Sequence, residues 1–397
     1  MQVVNADEDH FPHGLSSFVL KPPFQHAGGH SWLAAAPPDY DVNDKKRLAS
    51  FEVFEDEQPL PLRNVMHVEI KAEGAGRYSF WTGAVCFSSL DNTDPNVNGR
   101  TYRLVQTKEE VLGIWSFSGC TVHNPVYELE KLGMAWAPAR RTGHDSTPYS
   151  HTAAEHLQLL RFLRGEQAIP AAVQPLCNIT FTPRPGGYEL AVSELDVVLA
   201  EICSDVEMVF RGTVLNRLRV VDALVSVAGV AAKSGDERDK RWHTAAQRWY
   251  YDGFLKMKPG FAEHAQTMLE LMPYQGENDA LLRDILREAA PRRISKESMV
   301  ADLMELRKLL GVPLGVLTHT QYYMPDGRAI AWPPKLHDEL REICQENGLL
   351  LMNPSELVEQ YGAETALKED LSHWRDDFMP VIGRAVYAFA TKVIAAG

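Results

Sequence analysis

Hydrophobic and polar positions change their rhythm near residue 108. Upstream, apolar and polar residues alternate at Leu48–Phe54 and Val65–Ile70, Tyr78–Ser88 is aromatic and β-branched, and 17–21 and 31–35 are further short runs. Turns rich in Gly, Pro, Asp and Asn separate these runs, a pattern that predicts short strands. Downstream, continuous apolar runs at Val111–Phe117, Leu195–Ile202 and Val312–Thr318 predict buried parallel strands, with shorter ones at Met134–Pro138 and Leu349–Met352. Between them apolar residues recur at spacings of three and four. Helices are predicted at Ser150–Gly165, Thr213–Ala231, Glu237–Lys256, Gly260–Leu271, Asp279–Glu288, Lys296–Leu310, Pro334–Asn347, Ser355–Tyr361 and Trp374–Val393.

The two rhythms predict two parts. Residues 1–107 read as a small N-terminal β-sandwich-like module. Residues 108–397 read as an α/β domain, its sheet covered on both faces, with a helical insertion at about 213–310. Such sheets bind ligands beyond the carboxyl ends of their strands. Three stretches fall there: Ser118-Gly119-Cys120, Glu201-Ile202-Cys203-Ser204 and Thr318-His319. After the first a helix is predicted, with Asn124 as N-cap, Pro125 in its first turn and Gly133 at its end. A cysteine in a small-residue turn at a helix start is placed to react as a thiolate, so Cys120 is the candidate nucleophile.

Composition narrows the classes. The chain of 397 residues is 45% hydrophobic and 23% charged, with a formal charge of −13 and no long basic run. That balance argues against nucleic acid or an anionic membrane as the main partner. The N-terminus shows no signal-peptide pattern, and the apolar stretch Val220–Ala232 is too short to span a bilayer and carries Asp222. Five cysteines without C-x-x-C spacing fit reduced thiols and a cytoplasmic protein, not a disulfide framework or structural zinc. No metal or bound cofactor is expected.

A base for Cys120 is offered by Asp370-Leu371-Ser372-His373, just before the last helix. A carboxylate three residues from a histidine can fix its tautomer and leave the other ring nitrogen to take a proton. With 14 histidines, roughly one D-x-x-H is expected by chance, and Asp7–His10 is another, so position carries this one. His319 is a substrate-contacting candidate and His123 a weaker local base. Arg141, in the basic loop Arg140–His144, is a candidate anion contact. Asp94, Asn96, Asn98 and Gly99 spell the first half of a calcium loop, but its twelfth position is Val105, so an Asx-rich turn is expected. Trp242, Trp249, Tyr250 and Tyr251 read as helix packing rather than a sugar platform.

A nucleophile turn after the first strand with D-x-x-H before the last helix resembles the SGNH/GDSL hydrolase superfamily. Ser118-Gly119-Cys120 is most similar to the first block of its cysteine-bearing relatives, the GSCFA proteins and the WcbI-type capsule enzymes. The resemblance covers about 110–397. It implies a three-layer α/β/α, flavodoxin-like fold and a Cys120–His373–Asp370 triad. Gly119, Thr121, Ser204, Gly212, Asn216, His319 and Arg141 are then the substrate or oxyanion candidates. The first block lacks its usual leading glycine. The implied activity is O-acyl transfer to a bacterial glycan or related sugar, with acetyl-CoA or another acyl-CoA as co-substrate. The alternatives are an SGNH-type esterase and a glycan-binding protein whose SGNH-like domain has lost its chemistry. A glycosyltransferase is disfavoured by the lack of a convincing D-x-D.

Overall fold

The short N-terminal runs, Val65–Ile70 apart, contribute to two antiparallel sheets that share one core. In a computed structural model, the described residues are 17–35, 50–63, 65–81, 84–106, 111–117, 119–143, 149–229, 237–258, 260–272, 277–320, 322–323, 329–330, 334–370 and 373–397. Strands β1 (Ser17–Leu20), β2 (Gln25–Gly28), β3 (Ser31–Ala35), β4 (Phe51–Glu55) and β5 (Gln58–Pro59) are followed by helix α1 (His67–Glu73). Then come β6 (Tyr78–Trp81), β7 (Ala84–Phe87) and β8 (Tyr102–Gln106). The sheet orders are β1-β8-β4-β5 and β2-β3-β7-β6. Phe18, Phe51, Val53 and Leu104 from one sheet pack with Ala34, Tyr78, Val85 and Phe87 from the other. The strand expected at Val65–Ile70 is instead part of α1. Its alternation has no buried face to serve, since Ile70 is buried while Met66 and Val68 are exposed.

The Asp94–Gly99 segment is an Asx-rich turn. Asp94 Oδ1 accepts from Asn96 N at 2.8 Å, and Asn98 Oδ1 from Arg100 N at 3.1 Å. Asn96 instead ties the backbone of Phe24 through both ends of its amide.

The second part opens with β9 (Leu112–Phe117), α2 (Cys120–Lys131), β10 (Ala135–Trp136), α3 (Ala153–Leu163), α4 (Gly187–Ser193) and β11 (Val197–Ile202). It continues through β12 (Val206–Phe210), β13 (Thr213–Leu215), α5 (Arg217–Gly229), α6 (Glu237–Gln247), a π-helical turn at Arg248–Leu255, α7 (Phe261–Leu271), α8 (Glu277–Glu288) and β14 (Ala290–Arg293). The last elements are α9 (Lys296–Leu310), β15 (Leu314–Thr318), β16 (Tyr322–Tyr323), β17 (Ala329–Ile330), α10 (Pro334–Glu346), β18 (Leu350–Met352), α11 (Ser355–Tyr361), α12 (Ala363–Ala366) and α13 (Met379–Ala396).

Strands β10-β9-β11-β15-β18 make one sheet, all neighbours parallel. Numbered by appearance, that order is 2-1-3-4-5, which reverses direction between β9 and β11. Every residue of β9, β11 and β15 is buried, which explains their largely apolar sequence. Trp115, Phe117, Val198, Ala200 and Val316 face α3, α9 and α10, while Ile114, Val197, Leu199 and Leu317 face α2 and α13. Helix α13 is long and apolar enough to cross a membrane, yet Ile382, Val386, Phe389 and Val393 spend that apolar face on the core.

The insertion is not helical throughout. Thr213–Leu215, expected to open a helix, pairs with β12 across a turn at Arg211 and Gly212, both at positive φ (47° and 78°). Strand β14 pairs with the other side of β12, with Arg292 on Glu207 and Arg293 on Asp205. Trp242, Trp249 and Tyr250 are buried in the core, and Tyr251 is exposed.

His156 on α3 lies wholly inside this core, its ring 5.1 Å from that of Phe117 and both ring nitrogens without a hydrogen-bond partner among the described residues. Burial, then the neighbouring His151, pushes its pKa down to about 3. The unfolded chain therefore binds a proton below about pH 6.5 that the folded chain refuses, so stability falls as pH drops from there toward 3. His156→Leu is expected to remove part of that slope, leaving the variant's loss between pH 7.5 and 5.5 smaller by roughly 1 kcal/mol. Urea melts at the two pH values check this, and equal losses in both proteins would refute it.

Candidate functional site

Helix α2 begins at Cys120, with Gly119 as N-cap, five residues before the expected Asn124 cap. Pro125 therefore lies inside the helix, and it has no N–H to give the carbonyl of Thr121, four residues back. Trp374 supplies the missing donor: its indole Nε1 donates to Thr121 O at 3.0 Å, buried. The helix ends as expected at Gly133, whose φ of 70° allows Met134 N to bond Leu129 O at 2.9 Å. Cys120 is thus the first helical residue, among N–H groups that lack acceptors within the helix. Ser118 and the Cys120 side chain lie outside the described residues.

The Trp374 bond brings together the two ends of the predicted site. His373 precedes Trp374, and Cys120 precedes Thr121. His373 Nδ1 is 2.6 Å from Asp370 Oδ2, and His373 N donates to Asp370 Oδ1 at 3.0 Å. Lys368 N donates to His373 O at 2.8 Å, and a bridge between Leu367 and Trp374 closes the turn. Both side chains of the Asp–His pair remain about half exposed, at 50% and 46%. Trp374 itself is buried and sits ahead of α13, not within it as expected.

A second carboxylate–imidazole pair lies beneath the turn. His319 follows β15, and its Nδ1 is 2.7 Å from Glu201 Oε1 and 2.8 Å from Thr121 Oγ1. Register sets this meeting: Ala200 pairs with Phe117 and Glu201 with Leu317. Glu201 has no exposed surface. Sequence reasoning named the stretch containing Glu201 but gave the acid no role. Its signal was available, since an acid inside a fully buried strand is an anomaly.

The remaining candidates hold the scaffold. Ser204 Oγ donates to Val206 O at 2.7 Å and accepts from Arg217 Nη1 at 2.9 Å. Asn216 accepts from Arg219 N near the start of α5 and donates to Glu155 Oε2 at 2.9 Å. Gly212 serves the β12–β13 turn. Arg141 is a correction: it forms two Nε contacts of 3.0 Å with Glu194, which sits ahead of β11, and so lies at the amino end of the sheet. The anion it meets is internal, and β9 separates it from Cys120 by about 20 Å. His123 has its ring 5.4 Å from that of Tyr149, and His144 lies outside the described residues. Among the described residues no cluster of His, Cys, Asp and Glu could hold a metal ion. Burial pushes Cys86 up to about 11 and Cys177 and Cys344 up to about 12, which leaves those thiols protonated.

Comparison with known proteins places this chain in a family. The Vi polysaccharide biosynthesis protein TviD of Salmonella typhi is 26% identical over 246 residues, 60% of this chain. The chain spans about a quarter (27%) of that relative's length. No solved structure matches. The family model for the TviD N-terminal domain matches residues 112–389, which include Cys120, Glu201, His319, Asp370 and His373, and the chain belongs to that family.

Proposed function

We propose that this chain is an O-acyltransferase that modifies a polysaccharide or its sugar precursor through an acyl-cysteine intermediate. The observation that carries the reading is the Trp374 Nε1 bond to Thr121 O, which ties the residue after His373 to the residue after Cys120. The relative's role in polysaccharide biosynthesis supports the acceptor class. The 2-1-3-4-5 sheet with helices on both faces is consistent with a cysteine-bearing SGNH-type architecture. Residues 1–107, whose two sheets share a core, are proposed as a separate module and 108–397 as the catalytic unit.

In this mechanism Asp370 holds the Nδ1 proton of His373, and Nε2 takes the proton of the Cys120 thiol. The thiolate attacks the carbonyl of an acyl-CoA, and the first N–H groups of α2 stabilise the oxyanion. Collapse breaks the donor's C–S bond, and the His373 proton leaves with the CoA thiol. A sugar hydroxyl then attacks the acyl-cysteine, and the ester product departs as the Cys120 thiol is restored. An acyl-CoA donor places the enzyme in the cytoplasm.

Intact mass spectrometry after incubation with acetyl-CoA tests the reading. An acetyl mass gain is expected, mapping to the Cys120 peptide and discharged by a polysaccharide with unmodified hydroxyls. Discharge at the same rate by water alone would make the enzyme an esterase. No adduct on folded protein with acetyl-CoA or simple acyl thioesters would overturn the acyl-cysteine route.

A further inference from the structure

Glu201 has a feature that the proposed triad does not use. One carboxylate oxygen lies 2.7 Å from His319 Nδ1, while Oε2 is buried with no hydrogen-bond partner among the described residues. Both oxygens also reach the turn that carries Cys120, since a Cβ built on Gly119 would lie 3.4 Å from each. A wholly buried carboxylate costs several kcal/mol unless a cation or hydrogen-bond donors face it. Packing offers cheaper ways to fill the end of a strand, and here the acid is paired with an imidazole.

We propose that His319 and Glu201 form a second acid–base pair of the same site, with His319 as the catalytic base for the acceptor hydroxyl and Glu201 as its positioning residue. The proposal rests on the acyl-cysteine reading above. The Glu201 carboxylate favours the His319 tautomer with its proton on Nδ1, shared with Thr121 Oγ1, and the lone pair on Nε2. The two half-reactions need different bases. A thiol is acidic enough to ionise with modest help, but a sugar hydroxyl is a far weaker acid. The imidazolium formed by deprotonating it is best stabilised by a carboxylate shielded from water. Glu201 is fully buried and the side chain of His319 is 9% exposed, whereas Asp370 and His373 are about half exposed and screened.

In the second half-reaction the acceptor O–H proton passes to His319 Nε2 as the oxygen bonds to the acyl carbon. The C–S bond then breaks, its electron pair stays on the Cys120 sulfur, and the His319 proton returns to that thiolate.

The test separates the two halves by rapid-quench mass spectrometry, with acetyl-CoA as donor and a de-O-acylated polysaccharide as acceptor. His319→Ala and Glu201→Gln are expected to acetylate Cys120 within about threefold of wild type but to discharge it roughly 10²-fold or more slowly, so the acyl-enzyme accumulates. Free imidazole should restore part of the discharge rate in His319→Ala. Glu201→Gln keeps the volume and one acceptor oxygen, and its melting temperature controls for folding. Equal loss of both half-reactions in a variant that melts like wild type, or discharge at the wild-type rate, would overturn the proposal. Absence of any Cys120 adduct in the wild type is a separate result, and it removes the acyl-cysteine reading itself.

Discussion

Cys120→Ala is expected to abolish the acetyl adduct and to lower polysaccharide acylation by roughly 10³-fold or more, with the melting temperature unchanged within a few degrees. The removed atom is the proposed nucleophile, and Cys203, at the end of β11, is buried at 2% exposure. Cys86, Cys177 and Cys344 are held protonated by burial and lie on other elements. His373→Ala should slow formation of the adduct by roughly 10²–10⁴-fold, the usual worth of a positioned general base. Asp370→Asn should cost less, on the order of tenfold, because its pair with His373 is half exposed and a solvated imidazole can find its tautomer without help. Residues that act as one unit do not add, so Cys120→Ala/His373→Ala should be no slower than Cys120→Ala. Rates of adduct formation for the four proteins check the set. A fully active Cys120→Ala would refute the covalent mechanism.

What could be read in advance followed from how strongly local physics constrains each element. Strands buried on both faces favour apolar residues, so β9, β11 and β15 stood out as mostly apolar runs, and α9 and α11 have the expected limits of Lys296–Leu310 and Ser355–Tyr361. The misreadings came where a local rule met a tertiary partner. Proline at 125 suggested a helix beginning there, because a proline within a helix strands a carbonyl. The position of Trp374 ahead of α13, which relieves that cost, cannot be read from either segment alone. The pattern at Val65–Ile70 suited a strand, but from His67 the chain turns into α1, where only Ile70 is buried. At the site, Asp370 and His373 were legible because three residues separate them. Glu201 and His319 are 118 positions apart and meet through the register of two parallel strands, which no short spacing encodes.

The Pro125–Trp374 relation makes the last prediction a double-mutant cycle. Trp374→Phe removes the N–H that Thr121 O accepts, and Pro125 can supply none in its place. The carbonyl is left buried without its donor, and part of the indole volume is lost. The expected cost is about 3 kcal/mol of folding stability. In a Pro125→Ala background, alanine restores an N–H four residues after Thr121, so the helix can satisfy that carbonyl itself. The same Trp374→Phe change should then cost only the volume, about 1–2 kcal/mol. A coupling of at least about 1 kcal/mol between the sites is therefore expected from urea melts of the four proteins. Adduct formation should respond differently from stability. Restoring the helical hydrogen bond repairs α2 but does not refasten the His373 turn to Thr121, so both proteins carrying Trp374→Phe should acylate slowly. If stability and acylation recover together in the double variant, the indole bond is only a helix repair. If stability recovers and acylation does not, the bond is what holds the base beside its nucleophile.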